Sequence, residues 1–248
     1  MKKSIVSLVD TGSEGTATNE QAMELINEFF AKISHEIRTP VNALQQAAHQ
    51  LQQELNIFNH KDINRLTSIM IDESERLART IDLLVDYAAL KSGTYHLKTE
   101  KFDLFQDVLA ALFASYKTTA EAKGVRLVIN STTLNTEISA DKYSVRQILK
   151  NLIENAVAFT EKGVIEVDIK RTDSAGLVVS VVDTGIGIEE NLLDNIFQPF
   201  VQESKGYSRS FDGMGLGLAV TKGFCDLNGF EISLQSQKEA GTVVTVKF

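Results

Sequence analysis

His35 stands beside a carboxylate, Glu36, in the run Ser34-His35-Glu36-Ile37-Arg38, and Thr39-Pro40 follows at once. A neutral imidazole is a nucleophile near neutral pH, since its unperturbed pKa is about 6.5. A neighbouring carboxylate can take the ring proton and raise the reactivity of the other nitrogen. Pro40 adds a cost: inside a helix it removes a backbone hydrogen bond and clashes with the carbonyl of Glu36, at about 3 kcal/mol. Taken alone, His35–Glu36 is a solvated pair on a helix surface. A bend placed beside that pair points to a site.

Three further clusters lie in the second half of the chain. Asn151 and Asn155 share one helical face amid Ile148, Leu149, Leu152 and Ile153. Asparagine is a poor helix-interior residue, and its side-chain oxygen suits Mg²⁺, a hard cation that keeps waters and phosphate oxygens as its other ligands. The plainer reading is a side chain satisfied by a neighbouring loop. Asp183-Thr184-Gly185-Ile186-Gly187-Ile188 follows a run of buried character. Its glycines, Gly185 and Gly187, let backbone approach a flat ligand, and Asp183 can accept a hydrogen bond from an exocyclic amine; alone, the pattern is equally a tight turn. Gly213-Met214-Gly215-Leu216-Gly217-Leu218 opens a helix and exposes N–H groups at its positive end, a phosphate-binding arrangement. No Gly-Lys-Ser/Thr follows it and no strand directly precedes it, which excludes a P-loop and a dinucleotide fingerprint. Between the two glycine clusters, Phe197 and Phe200 flank Pro199 as an aromatic anchor, and the polar stretch Glu203–Asp212 has the composition of a mobile cover over a nucleotide.

The elements that must position these groups follow from periodicity and glycine use. Gly12 and Gly15 are the only glycines before Gly93, so the first part reads as helix and the second as a strand-and-loop domain. Residues 1–18 form a flexible leader. Ile26, Phe30, Ile33, Ile37, Val41, Leu44, Ala48, Leu51 and Leu55 approximate a heptad, and Ile63, Leu66, Met70, Leu77, Ile81, Leu84 and Ala88 form a second stripe. The short connection Asn56–Lys61, with Asp62 as a cap, makes residues 19–92 an antiparallel helical hairpin. Two helices bury one stripe each, which predicts a homodimer closing into an all-α four-helix bundle. Residues 93–99 form a hinge. Beyond it, 102–122, 141–158 and 215–228 read as helices and 125–130, 164–170, 177–182, 232–235 and 243–248 as strands. Residues 100–248 are therefore an α/β sandwich, a mixed sheet with helices on one face; the strand order is not legible.

Composition narrows the function classes. The 248 residues carry 43% hydrophobic and 23% charged residues and a net charge of −8. The acidic balance disfavours nucleic acid as a partner, and a single cysteine, Cys225, excludes an intrachain disulfide and a paired-cysteine metal site. No run approaches the roughly 18 apolar residues of a membrane span, so the expected location is cytoplasmic, as part of a larger, membrane-associated protein or on its own.

The order of these pieces is more specific than any one of them. Ser34–Pro40, then Asn151-Leu152-Ile153-Glu154-Asn155-Ala156, then Asp183–Gly187, then Phe197-Gln198-Pro199-Phe200, then Gly213–Leu218, resembles a two-component sensor histidine kinase over residues 20–248. The resemblance implies a dimerisation and histidine-phosphotransfer hairpin followed by an ATP-binding domain of the fold shared with DNA gyrase, a heat-shock chaperone family and MutL. It implies ATP and Mg²⁺ as cofactors. His35 would accept the γ-phosphoryl group with Glu36 as general base, and Thr39 matches the position used in regulator dephosphorylation. Asn155 would hold Mg²⁺, Asn151 would lie near the phosphates, and Asp183 would read the adenine amine. Gly185 and Gly187 would shape the base pocket, Gly213, Gly215 and Gly217 would hold the phosphate end, and Thr242 would sit behind the base. The phosphoryl group would pass to an aspartate in the receiver domain of a response regulator.

Family members usually carry lysine three residues after the Mg²⁺-binding asparagine, where this chain has Ala158. Lys162, Lys205 and Arg209 are the candidate substitutes, and nucleotide affinity or turnover below the family norm is the expectation. The alternative is a dimeric signalling scaffold that binds nucleotide without efficient transfer. An ATPase clamp is disfavoured, because Asn151 stands where such clamps need a water-activating glutamate. The missing sensor region and the ending at Phe248 suggest an excised core, and Phe200-Val201-Gln202 is reminiscent of kinases with an attached receiver domain.

Overall fold

A computed structural model describes residues 38, 41–53, 61–172, 176–202 and 215–248, except for the side chains of Lys61, Asp62 and Leu66. His35, Glu36, Thr39, Pro40, Gly213, the leader and the expected cap of Asp62 lie outside the described residues. The chain divides into two compact units, Met1–Tyr95 and His96–Phe248.

In the first unit, helix α1 (41–53) is followed by α2 (Lys61–Ser92). Arg38, itself helical, forms an ion pair with Asp82, in the last third of α2. A contact between residues 44 positions apart requires the antiparallel hairpin that the two heptad stripes imply. Val41 and Ala48 are buried, as are Ile71 and Ile81. The other stripe is left to solvent: Leu44 and Leu51 on α1, and Ile63, Met70 and Leu77 on α2, are each more than a third exposed. α2 stops at Ser92, where Gly93 takes φ +69° and its N–H returns to the Leu90 carbonyl.

The second unit is a sheet covered by helices on one face. Its strands are β1 (Thr99–Asp103), β2 (Val125–Ser131), β3 (Glu137–Asp141), β4 (Gly163–Thr172), β5 (Gly176–Asp183), β6 (Glu231–Gln237) and β7 (Gly241–Lys247). Five of them form one sheet in the order β2-β4-β5-β7-β6, with β2 and β4 parallel and the other pairs antiparallel. The helices are α3 (Ala110–Ala122), entered through a π-type turn at Phe105–Leu109, then α4 (Lys142–Phe159), the single turn α5 (Glu190–Leu193) and α6 (Gly217–Asn228). Ile165, Val167, Ile169, Leu177, Val179, Val181, Val244 and Val246 point inward and pack against Val145, Ile148, Leu149, Leu152, Val220 and Phe224.

Two expectations need correction. Residues 102 and 103 belong to a strand, because Phe102 is buried opposite Ile138 in an antiparallel ladder that also contains β3. Both strands are short and largely polar in sequence, so only their mutual pairing reveals them. The predicted 215–228 helix starts at Gly217, because Gly215 takes φ +67° and breaks the helical path, leaving Leu216 as the residue that precedes the first turn.

Candidate functional site

The inward faces of β5, β7 and β6 are apolar along most of their length and then turn polar in a single cross-strand row, beside the apolar Ile165 of β4. Ile165 pairs with Asp183, Asp183 with Thr242, and Thr242 with Ser236. Asp183 is half-buried, and its carboxylate accepts the Gly185 N–H at 2.9 Å and the Thr242 N–H. Burial pushes its pKa above the ordinary carboxylate value, and the two backbone donors hold it back only in part. Ser236 is the group that sequence reasoning missed. Its hydroxyl donates to the Gly241 carbonyl, accepts the Ile188 N–H and contacts the Thr242 hydroxyl, each at 2.9 Å. Its signal was present in the alternation of β6, where Ile232 and Leu234 are followed by a serine at the next inward position.

The loop after β5 is clamped on both sides. The Ile186 N–H donates to the Phe159 carbonyl at the end of α4, and the Ile186 carbonyl accepts the Glu239 N–H from the β6–β7 turn. Gly187 has φ +62°, and a Cβ there would collide with the Gln237 carbonyl. Its glycine is therefore needed first for protein–protein backbone packing. Thr184, Gly185 and Ile186 line a 240 Å³ cavity with Glu161, Lys162 and Glu239, so Lys162, one of the candidate substitutes for a lysine at 158, borders this loop. A larger cavity of 380 Å³, bounded by Lys98, Thr99, Glu100, Asp141, Lys142 and Tyr143, contains none of the expected site residues.

α4 carries both asparagines, and they differ. Asn151 is buried, with 4% of its surface exposed, and its amide donates to the Gly217 carbonyl at 3.3 Å and the Thr221 hydroxyl at 3.4 Å. It ties α4 to the first turn of α6. Asn155, one turn on, is half-buried, and among the described residues its side-chain amide has no hydrogen-bond partner. The N-terminus of α4 is fixed by Asp141, whose carboxylate caps the Ser144 N–H and also accepts the Lys98 N–H, both at 2.7 Å. Ala158 lies in the last turn, partly exposed.

Phe197 is half-buried, whereas Phe200 is 60% exposed with φ +65°. Its N–H donates to the Gly215 carbonyl at 2.9 Å. A Cβ on Gly215 (φ +67°) would press on the backbone of Phe200 and Val201, which explains glycine at that position. The structure thus brings together Asp183, Gly185, Gly187 and Thr242, and separately Asn151 with Gly217 and Phe200 with Gly215.

Comparison with known proteins gives this arrangement its family. The family model described as "Histidine kinase-, DNA gyrase B-, and HSP90-like ATPase" matches residues 140–248, and "His Kinase A (phospho-acceptor) domain" matches residues 25–93. The autoinducer 2 sensor kinase/phosphatase LuxQ of Vibrio parahaemolyticus is 35% identical over 233 residues, covering 92% of this chain and 27% of its own length. The chain therefore spans about a quarter of that relative. Among solved structures, full-length ShkA in complex with AMPPNP has a TM-score of 0.67 at 27% identity, covering 88% of this chain and 45% of that one. Histidine kinase ThkA in complex with the response regulator protein TrrA shares the fold, with a TM-score of 0.59 at 18% identity over 98% of this chain and 67% of that one. With the phospho-acceptor and ATPase matches in tandem on one chain, in the order of the motifs, this chain belongs to the two-component sensor histidine kinases and carries their catalytic core.

Proposed function

We propose that this chain transfers the γ-phosphoryl group of ATP to His35 and passes it to an aspartate of a response-regulator receiver domain. The observation that carries the reading is the tandem of a phospho-acceptor match containing His35 and an ATPase match containing Asn151, Asn155 and Asp183. In the transfer, a ring nitrogen of His35 forms a bond to the γ-phosphorus as the bond from that phosphorus to the ADP oxygen breaks, and Glu36 takes the ring proton. Asp183 accepts from the exocyclic amine of the base, with Thr242 beside it. Asn151 holds the start of α6 against α4, so that Gly213, Gly215 and Gly217 can meet the phosphates while Phe197 and Phe200 flank the entry. Asn155, with its amide uncommitted among the described residues, fits a hard cation, and its carbonyl oxygen would be the protein ligand. Bound Mg²⁺ would neutralise phosphate charge there. Hydrolysis is not favoured, because Asn151 is an amide already bonded to Gly217 and Thr221 and cannot act as a base.

The exposed stripe of Leu44, Leu51, Ile63, Met70 and Leu77 is the face that a second copy would cover. We assign residues 19–92 to this dimeric hairpin, 93–99 to the hinge and 100–248 to the catalytic domain. Thr39 is assigned to regulator dephosphorylation, as the kinase/phosphatase name of the Vibrio relative suggests. No helix among the described residues is long and apolar enough to cross a membrane.

The test is incubation with γ-labelled ATP and Mg²⁺. Acid-labile, base-stable label is expected on wild type and absent from His35→Gln. Label that persists in the variant would overturn the assignment of His35. Nucleotide binding without label on wild type would favour the scaffold reading that Ala158 motivates.

A further inference from the structure

Ser236 holds more hydrogen bonds than a surface strand residue needs, and counting protons gives them a direction. A serine hydroxyl has one proton to donate and two lone pairs to accept with. The Ser236 proton goes to the Gly241 carbonyl, which can only accept. One lone pair takes the Ile188 N–H. The remaining contact, Ser236 Oγ to Thr242 Oγ1 at 2.9 Å, is open to either donor by geometry alone. Since Ser236 has no second proton, Thr242 must be the donor. All three capacities of Ser236 are then filled, and the Thr242 hydroxyl has spent its only proton.

The consequence lies next door in the same cross-strand row. Thr242 keeps lone pairs and no proton, and the ionised Asp183 beside it is also acceptor-only. We propose that Ser236 is a positioning residue that sets the hydrogen-bond polarity of the base-recognition corner, leaving Asp183 and Thr242 to present acceptors alone. Such a corner takes an exocyclic amine, directly or through a water, because the amine brings N–H donors. A purine with a carbonyl at the same ring position brings an acceptor and meets two more. Ser236 thereby contributes to selection of 6-amino over 6-oxo purine nucleotides without touching the base. The inference rests on the reading of this row as the base end of the ATP site.

The test measures ADP and IDP affinities with Mg²⁺ by calorimetry on the intact chain, for wild type, Ser236→Ala and Ser236→Thr. Wild type should prefer ADP. In Ser236→Ala the Thr242 hydroxyl is free to turn and donate to a 6-oxo group, so the preference should shrink about five-fold, the loss of one hydrogen bond's discrimination. Ser236→Thr restores the hydroxyl and should restore the preference. A structural role alone would weaken both nucleotides equally. An unchanged ADP/IDP ratio in a folded Ser236→Ala variant overturns the proposal. If that variant fails to fold, Thr242→Val, which deletes the acceptor, must narrow the ratio in the same sense, and an unchanged ratio there is equally fatal. Wild type that binds neither nucleotide would overturn the ATP-site reading itself, and this inference with it.

Discussion

Replacing Asn151 by alanine separates structural from ligand-binding roles on one helix face. The Asn151 amide is already bonded within the fold, to the Gly217 carbonyl and the Thr221 hydroxyl, and only 4% of its surface is exposed. Both bonds are long, so each contributes about 0.5 kcal/mol. The void left by the missing carboxamide between α4 and α6 adds about 1 kcal/mol. The sum, about 2 kcal/mol, corresponds to a fall in melting temperature of about 4–8 °C for a domain of about 150 residues. The same substitution at Asn155 removes no hydrogen bond among the described residues, so the nucleotide-free melting point should move by less than about 0.5 kcal/mol equivalent. Adding Mg²⁺ and ATP reverses the contrast: Asn155→Ala should lose the magnesium-dependent part of the ligand-induced stabilisation. The assay is differential scanning calorimetry of both variants, with and without Mg²⁺ and nucleotide. If Asn151→Ala melts with wild type in the absence of nucleotide, the bridge to α6 contributes nothing and the argument fails.

Three other outcomes follow from the site. Burial raises the Asp183 pKa, so its charge is a cost to the folded state above that pKa, and this cost is relieved as pH falls through it. ADP affinity, which needs the carboxylate as acceptor, should run the opposite way and weaken as pH falls from neutral through the raised pKa; a pH titration of ADP binding with the same slope in Asp183→Asn would refute the assignment. Gly187→Ala puts a Cβ against the Gln237 carbonyl at φ +62° and should cost about 2 kcal/mol or more, whereas Gly217→Ala, where the added carbon meets no described atom within 4 Å beyond its chain neighbours and its own helix backbone, should be close to neutral; equal melting points for the two would contradict the clamped-loop geometry. Ala158→Lys should tighten ATP binding and raise autophosphorylation by returning a cation to the face of α4 that carries Asn155, and unchanged values for both would show that the lysine is not missed.

Legibility divided along physical lines. Helices with a sustained period, such as α2 and α4, were evident because amphipathic periodicity is local. β1 and β3 were not evident, since each is short and polar and exists only by pairing with the other. The sheet order β2-β4-β5-β7-β6 was equally hidden, because neighbours in a sheet need not be neighbours in the chain. The chemistry showed the same split. Residue types and their order along the chain were enough to single out His35, Asn155 and Asp183 as acceptor, metal and base-reading candidates, because nucleophilicity, hardness and hydrogen-bond capacity belong to the side chain. What those side chains are free to do was decided by the fold. The two asparagines look alike in sequence, yet of the two only Asn155 has its amide uncommitted among the described residues. The glycine at 187 serves a close approach to Gln237 that no local pattern encodes. Ser236 enters the site because strand register sets it beside Thr242, which is beside Asp183, and proton counting in that row depends on partners brought together from two distant stretches of the chain, 183–188 and 236–242.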